Sequence, residues 1–111
     1  MRVLFRNKKN YLENNILRYK ELEIHLNRRK IYVNKKEEKL TKKEYELLEY
    51  LIKNKRIVLD RDKIITDIWG WDYEGNLKII DIYINSLRKK IPNCIKYIKS
   101  VYGVGYIFGD E

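Results

Sequence analysis

The spacing of apolar residues changes twice along this chain, and that change limits its fold more than any other feature. Apolar and polar residues alternate in Leu22-Glu23-Ile24-His25-Leu26 and again in Lys30-Ile31-Tyr32-Val33. Alternation with period two places one set of side chains on each face of a strand, so both pieces read as half-buried strands. From Tyr45 to Ile91 the apolar residues recur instead at three and four, the period of a helix with one buried stripe. After Tyr97 the alternation returns. Strands, then helices, then strands indicate an α+β class.

Local signals divide that plan into elements. The sheet begins near Ile16, with Asn27-Arg28-Arg29 as one turn and Asn34-Lys35-Lys36-Glu37 as a second, leading to a short strand near Leu40. Thr41-Lys42-Lys43-Glu44 is a capping box, in which the Thr41 hydroxyl accepts the Glu44 amide and the Glu44 carboxylate accepts that of Thr41. Tyr45, Leu48, Leu51 and Ile52 then mark a helix to about Asn54. Asp60 caps a second helix with Ile64, Ile65, Ile68 and Trp69 on its apolar face. Gly70 closes it where a left-handed residue is wanted. A loop covers Trp71 to Gly75. Asn76 caps a third helix, which Pro92 ends. Tyr97–Val101 and Gly105–Phe108 flank Tyr102-Gly103-Val104 as a hairpin, with Gly103 and Gly105 supplying the freedom to bend.

Charge and composition narrow the function. The 111 residues carry a net charge of +9 and are 44% hydrophobic, enough apolar content for a packed core. No apolar run approaches the ~18 residues of a membrane span, and no cleavable leader is visible, so the cytosol is the expected compartment. One cysteine, Cys94, and one histidine, His25, leave no disulfide, no metal site and no catalytic triad to assemble. No cofactor and no enzymatic activity are expected. Residues 1–40 hold twelve basic against five acidic side chains, whereas residues 41–75 are nearly balanced and residues 76–111 are again basic. Basic ends suit a polyanion.

The third helix is the most informative segment. At 100° per residue, Leu77, Ile80, Ile84, Leu87 and Ile91 share the buried sector. Ile82 lies opposite, among Lys78, Asn85, Ser86 and Lys89. Lysines meet phosphates, asparagine pairs with adenine edges, and an aliphatic side chain touches a thymine methyl, so this face matches a DNA major groove. A solvated face with one stray isoleucine has the same pattern. The hairpin after helix three favours the DNA reading, because a helix-turn-helix followed by a hairpin is a winged helix. Lys96, Lys99 and Tyr102 lie on or beside that wing.

The stretches LTKKEYELLEYLIKNKRIVLDRDKIITDIWG, IIDIYINSLRKKI and YIKSVYGVGYIF, in this order and spacing, resemble the OmpR/PhoB-type winged-helix domain, the DNA-binding effector of two-component response regulators. The resemblance implies a domain over residues 16–111 with an N-terminal antiparallel sheet, three helices and a wing. It implies that residues 1–15 are an interdomain linker with the remnant of a missing receiver domain. It assigns base reading to Asp81, Ile82 and Ser86, and backbone contacts to Lys78, Tyr83, Asn85 and Arg88. The wing contributes through Ser100, Tyr102 and Tyr106, and affinity leans on Lys78, Arg88, Lys89 and Lys99. The loop with Trp71, Asp72, Tyr73 and Glu74 is where similar proteins touch RNA polymerase. Further implied are double-stranded DNA with a direct-repeat operator, a second protomer arranged head to tail, and a sensor histidine kinase acting on the receiver. The alternatives are a winged-helix module that binds protein without nucleic acid, and an RNA-binding role.

Other residues have plainer readings. Trp69 reads as core, whereas Trp71 is either an exposed contact or a lid. Of Tyr106, Ile107 and Phe108, at least one faces solvent. His25 has no carboxylate partner in view, and Cys94 reads as a bystander in a loop. Arg28-Arg29-Lys30 and Lys35-Lys36 are solvated turn charges or a contact with a neighbouring protomer.

Overall fold

The computed structural model describes residues 15–109, which form two compact units divided between Lys39 and Leu40. The linker expected over residues 1–15 lies, but for Asn15, outside the described residues.

The first unit is a four-stranded antiparallel sheet in sequential order: β1 (Ile16–Tyr19), β2 (Leu22–His25), β3 (Lys30–Val33) and β4 (Lys36–Glu38). Leu22, Ile24, Ile31 and Val33 are buried, as the alternation requires. The last strand is Lys36–Glu38, not the segment near Leu40. Asn34 and Lys35 both take positive φ, so a two-residue turn closes the hairpin and pairing resumes at once, with Val33 opposite Lys36. The charges of β4 read as a loop, but charge also suits an outer strand that must not attract further pairing. Glu23 and His25 share a face of β2, and His25 Nε2 lies 3.4 Å from Glu23 Oε1, so the histidine does have a carboxylate neighbour. That hydrogen bond, and then one from Arg18, hold the Glu23 carboxyl below its ordinary value.

The second unit contains the helices and the hairpin. Helix α1 (Lys42–Lys53) opens with the expected capping box: Thr41 Oγ1 accepts the Glu44 amide at 3.3 Å, and Glu44 Oε1 accepts the Thr41 amide at 2.8 Å. Its stripe of Tyr45, Leu48, Leu51 and Ile52 is buried, together with Leu47. A two-residue strand, β5 (Leu59–Asp60), precedes helix α2 (Arg61–Ile64), which continues as a π-helical turn over Ile65–Trp69. Asp60 Oδ1 accepts the Lys63 amide at 2.7 Å and caps the helix as expected. Gly70 ends it at φ 108° and ψ 151°, an extended conformation open to glycine rather than the left-handed helical one. Lys43 Nζ donates to the Ile68 carbonyl at 2.9 Å, satisfying a group that the helix end leaves open.

Helix α3 spans Lys78–Lys90, and Asn76 Oδ1 accepts the Lys78 amide at 2.8 Å. Ile80, Ile84, Leu87 and Ile91 are buried, and each such side chain contributes about 1.5–3 kcal/mol of hydrophobic stabilisation. Leu77 does not join them: it precedes the first regular turn and is 38% exposed. The segment after Pro92 is not a loop but a short helix, α4 (Cys94–Tyr97), with Cys94 buried. Strands β6 (Ile98–Val101) and β7 (Gly105–Phe108) form the hairpin, and β5 adds to β7, giving a sheet of order β5-β7-β6. Gly103 takes φ +75° at the turn. Gly105 serves a different need: a Cβ there would lie 2.1 Å from the Leu59 carbonyl oxygen, so its bare backbone lets β5 pair. Tyr106 and Phe108 are buried and Ile107 is the partly exposed member of the three.

Candidate nucleic-acid interface

Helix α3 is amphipathic, so burying one stripe presents the opposite one to solvent. Ile82 is 63% exposed, and Lys78, Asn85 and Lys89 are exposed around it. Shallow clefts lie on either side of the Ile82 ridge. One, of about 240 Å³, is lined by Thr41, Glu44, Ile82, Tyr83 and Ser86; the other, of about 330 Å³, by Ile82, Asn85, Ser86 and Lys89. Arg88, Lys89 and Lys90 crowd the last turn of α3, where cations are favoured by the helix dipole.

The remaining residues expected to touch DNA from this helix are tied down. Asp81 Oδ1 accepts Arg61 Nε at 3.2 Å and Arg61 Nη2 at 3.1 Å, and it also accepts the Tyr106 hydroxyl. Ser86 donates its hydroxyl to Glu44 Oε2. Arg88 donates Nη2 to the Ile98 carbonyl at 2.6 Å and is half-buried. The Tyr83 ring meets Trp69 edge-on, with centroids 5.3 Å apart. Trp69 is therefore not core: it is half-buried, with Tyr83 and Tyr73 beside it and Lys43 Nζ 5.4 Å from its centroid.

Tyr106 was expected on the contact surface of the wing, but it is only 5% exposed. Its ring is approached by two guanidinium groups, Arg61 at 5.2 Å and Arg88 at 5.9 Å from the centroid. Burial, then the bond to Asp81, raise its hydroxyl pKa. For Arg61, burial acts to lower the pKa, but the pairing with Asp81 outweighs it and leaves the guanidinium more firmly charged. Lys99 and Ser100 are exposed on β6, and Tyr102 at the wing tip is completely exposed.

Glu44 links α1 to α3. It is buried, and its oxygens accept from Thr41, Ser86 and Lys90 Nζ, the last at 2.8 Å. Burial pushes its carboxyl upward, but the bonds from Lys90, Ser86 and the Thr41 amide outweigh that and hold it below the ordinary value. The sequence marks Glu44 as a cap; its second task appears only when α3 packs across it.

The loop before α3 is open. Trp71 is 86% exposed, which decides against a lid, and Asp72 and Glu74 are exposed beside it. Tyr73 is half-buried, its hydroxyl donating to the Asn76 carbonyl at 3.3 Å. Among the described residues no three His, Cys, Asp or Glu side chains gather as a metal site, and no helix is long and apolar enough to cross a membrane.

Known proteins share this architecture. Residues 35–108 match the family described as "Transcriptional regulatory protein, C terminal". The chain is 37% identical over 92 residues to the transcriptional regulatory protein YkoG of Bacillus subtilis, covering 81% of this chain. It spans about 40% of the length of that relative. Among solved structures, the Thermotoga maritima response regulator DrrB, an OmpR/PhoB homolog, is similar at a TM-score of 0.78 and 30% identity, over 97% of this chain and 52% of DrrB. The DNA-binding domain of Klebsiella pneumoniae RstA, solved in complex with the RstA box, is similar at a TM-score of 0.78 and 25% identity, over 86% of this chain and 98% of that one. Their common order of N-terminal sheet, helices and C-terminal hairpin is the order found here. The chain belongs to the family of C-terminal domains of transcriptional regulatory proteins, the OmpR/PhoB-type domains of response regulators.

Proposed function

We propose that this chain regulates transcription by binding double-stranded DNA, with α3 in the major groove and the β6–β7 wing against the neighbouring backbone or groove. The observation that carries the reading is the outward face of α3: an exposed isoleucine ringed by Lys78, Asn85 and Lys89, beside an exposed wing bearing Lys99, Ser100 and Tyr102. Cations there neutralise phosphates, and the amide and aliphatic groups meet base edges. The relative solved with its box supports the same use of this fold.

The wider assignment is a proposal built on that one. Residues 16–111 serve as the DNA-binding domain and residues 1–15 as the linker from a receiver domain. The protein works in the cytoplasm by binding rather than catalysis. Two copies lie head to tail on a direct repeat, driven together when a sensor histidine kinase phosphorylates the receiver. The exposed Trp71, Asp72 and Glu74 offer an acidic, aromatic contact to RNA polymerase, with Tyr73 bracing the loop.

Fluorescence anisotropy of the 111-residue chain with a labelled random duplex, at two salt concentrations, tests the binding. The expected result is affinity that falls steeply with salt, with a log–log slope of about −0.9 for each phosphate neutralised. Tighter binding to single-stranded RNA than to duplex would replace DNA with RNA as the target. No binding even at low salt would leave α3 as a protein-contact surface.

A further inference from the structure

We propose that only the ridge of α3 formed by Lys78, Ile82, Asn85 and Lys89 meets DNA, and that Asp81 and Ser86 are positioning residues which clamp the helix by its two flanks. The inference rests on the DNA-binding reading above and narrows it.

The geometry of a helix separates the two sets. At 100° per residue, Lys78, Ile82, Asn85 and Lys89 fall within roughly 60° of one another. Asp81 and Arg88 lie together on one flank of that ridge, and Ser86, Tyr83 and Lys90 on the other. Every one of these flanking side chains is engaged elsewhere in the unit. On the first flank, Asp81 takes Arg61 from α2 and Tyr106 from β7, while Arg88 holds the Ile98 carbonyl at the start of β6. On the second, Ser86 and Lys90 donate to Glu44 of α1, and Tyr83 packs on Trp69. The ridge residues make none of the side-chain bonds described above.

The chemistry of Asp81 agrees with this division. A carboxylate facing DNA is repelled by phosphates unless it accepts from a cytosine amine. Here its Oδ1 already accepts from a guanidinium and a phenol, and Arg61 lies over the ring of that same phenol. Asp81 thus ties the N-terminal half of α3 to the wing strand, which fixes the angle between the two parts that approach DNA. A base-reading role would require breaking that pairing, at the cost of leaving a half-buried arginine unpaired.

The test uses the 111-residue chain, its Asp81→Asn and Tyr106→Phe variants and the double variant. Each is put through selection from a pool of randomised duplexes, followed by anisotropy on one duplex enriched by the unsubstituted chain and one unenriched duplex. The expected result is that both single variants enrich the same sequence as the unsubstituted chain. They bind the enriched and unenriched duplexes more weakly by the same factor, about threefold or more, well below their melting temperatures. The double variant loses no more than the weaker single one, because both break one linkage. Tyr106→Phe removes a single oxygen, so it carries the same expectation if Asp81→Asn does not fold. A changed base at one operator position in Asp81→Asn, with Tyr106→Phe unchanged, overturns the assignment and restores Asp81 as a reader. Unaltered binding in folded variants overturns it too, by reducing the pairing to stability alone. If the unsubstituted chain binds duplexes without enriching a sequence, equal weakening of the variants on two unrelated duplexes still tests the clamp. No binding to any duplex at low salt fails the DNA-binding reading, and the proposal with it.

Discussion

Glu44 shows how much one side chain can hold. It caps α1, accepts Ser86 and Lys90 from α3, and is buried. Glu44→Gln keeps the shape but removes the charge, weakening bonds that are stronger for being made to a carboxylate. A loss of about 1–3 kcal/mol is expected in urea denaturation at neutral pH. The pH dependence follows from the direction of its pKa, which is lower folded than its ordinary 4.5. The unfolded chain then binds the proton more readily, so the carboxylate stabilises the fold above pH 4.5 and that stabilisation is lost as pH falls through the lower folded value. Glu44→Gln should lose less stability than the unsubstituted chain between neutral and acid pH; equal losses would place the acid sensitivity elsewhere. Gly105 is the second such position. Gly105→Ala drives a methyl group into the Leu59 carbonyl, so a loss of about 1–3 kcal/mol and release of the β5 pairing are expected, measured by denaturation and by amide exchange at Tyr106.

At the scale of the element, α3 divides into a ridge and two anchored flanks. Lys78→Ala and Lys89→Ala should weaken binding to every duplex alike and reduce the salt slope by about one unit each. Ile82→Ala should instead change which sequence is enriched, because an aliphatic contact distinguishes thymine but does not bind phosphate. Anisotropy on two unrelated duplexes separates these outcomes. The helix itself was legible: its period from Ile80 onward and the Pro92 stop place it, and Ile82 lies outermost as the 100° rotation requires. Leu77 rather than Asn76 holds the cap position, however, with Asn76 accepting the Lys78 amide from just before it. What was illegible depends on partners distant in sequence. Asp81 is 20 residues from Arg61 and 25 from Tyr106, and Ser86 is 42 from Glu44, so their commitment appears only after packing. The same holds for β5, whose two residues take strand form through pairing with Tyr106 and Gly105. The turn at Asn34-Lys35 is a different case. Charged residues after it read as loop because alternation carries information only where one face is apolar.

For the whole molecule, the fold class is legible in the sequence, because short-range patterning decides the order of sheet, helices and hairpin. Basic charge likewise pointed to a polyanion, yet net charge alone does not choose a surface. We propose that one face, the α3 ridge with the wing, meets duplex DNA. Nuclear magnetic resonance of the isotopically labelled chain, titrated with an enriched duplex, tests it most directly. The largest amide and side-chain shifts are expected at Lys78, Ile82, Asn85, Lys89, Lys99, Ser100 and Tyr102, with smaller ones at Ile95 and in β1–β4. Shifts concentrated on α4 or the N-terminal sheet, with the ridge of α3 unmoved, would contradict it.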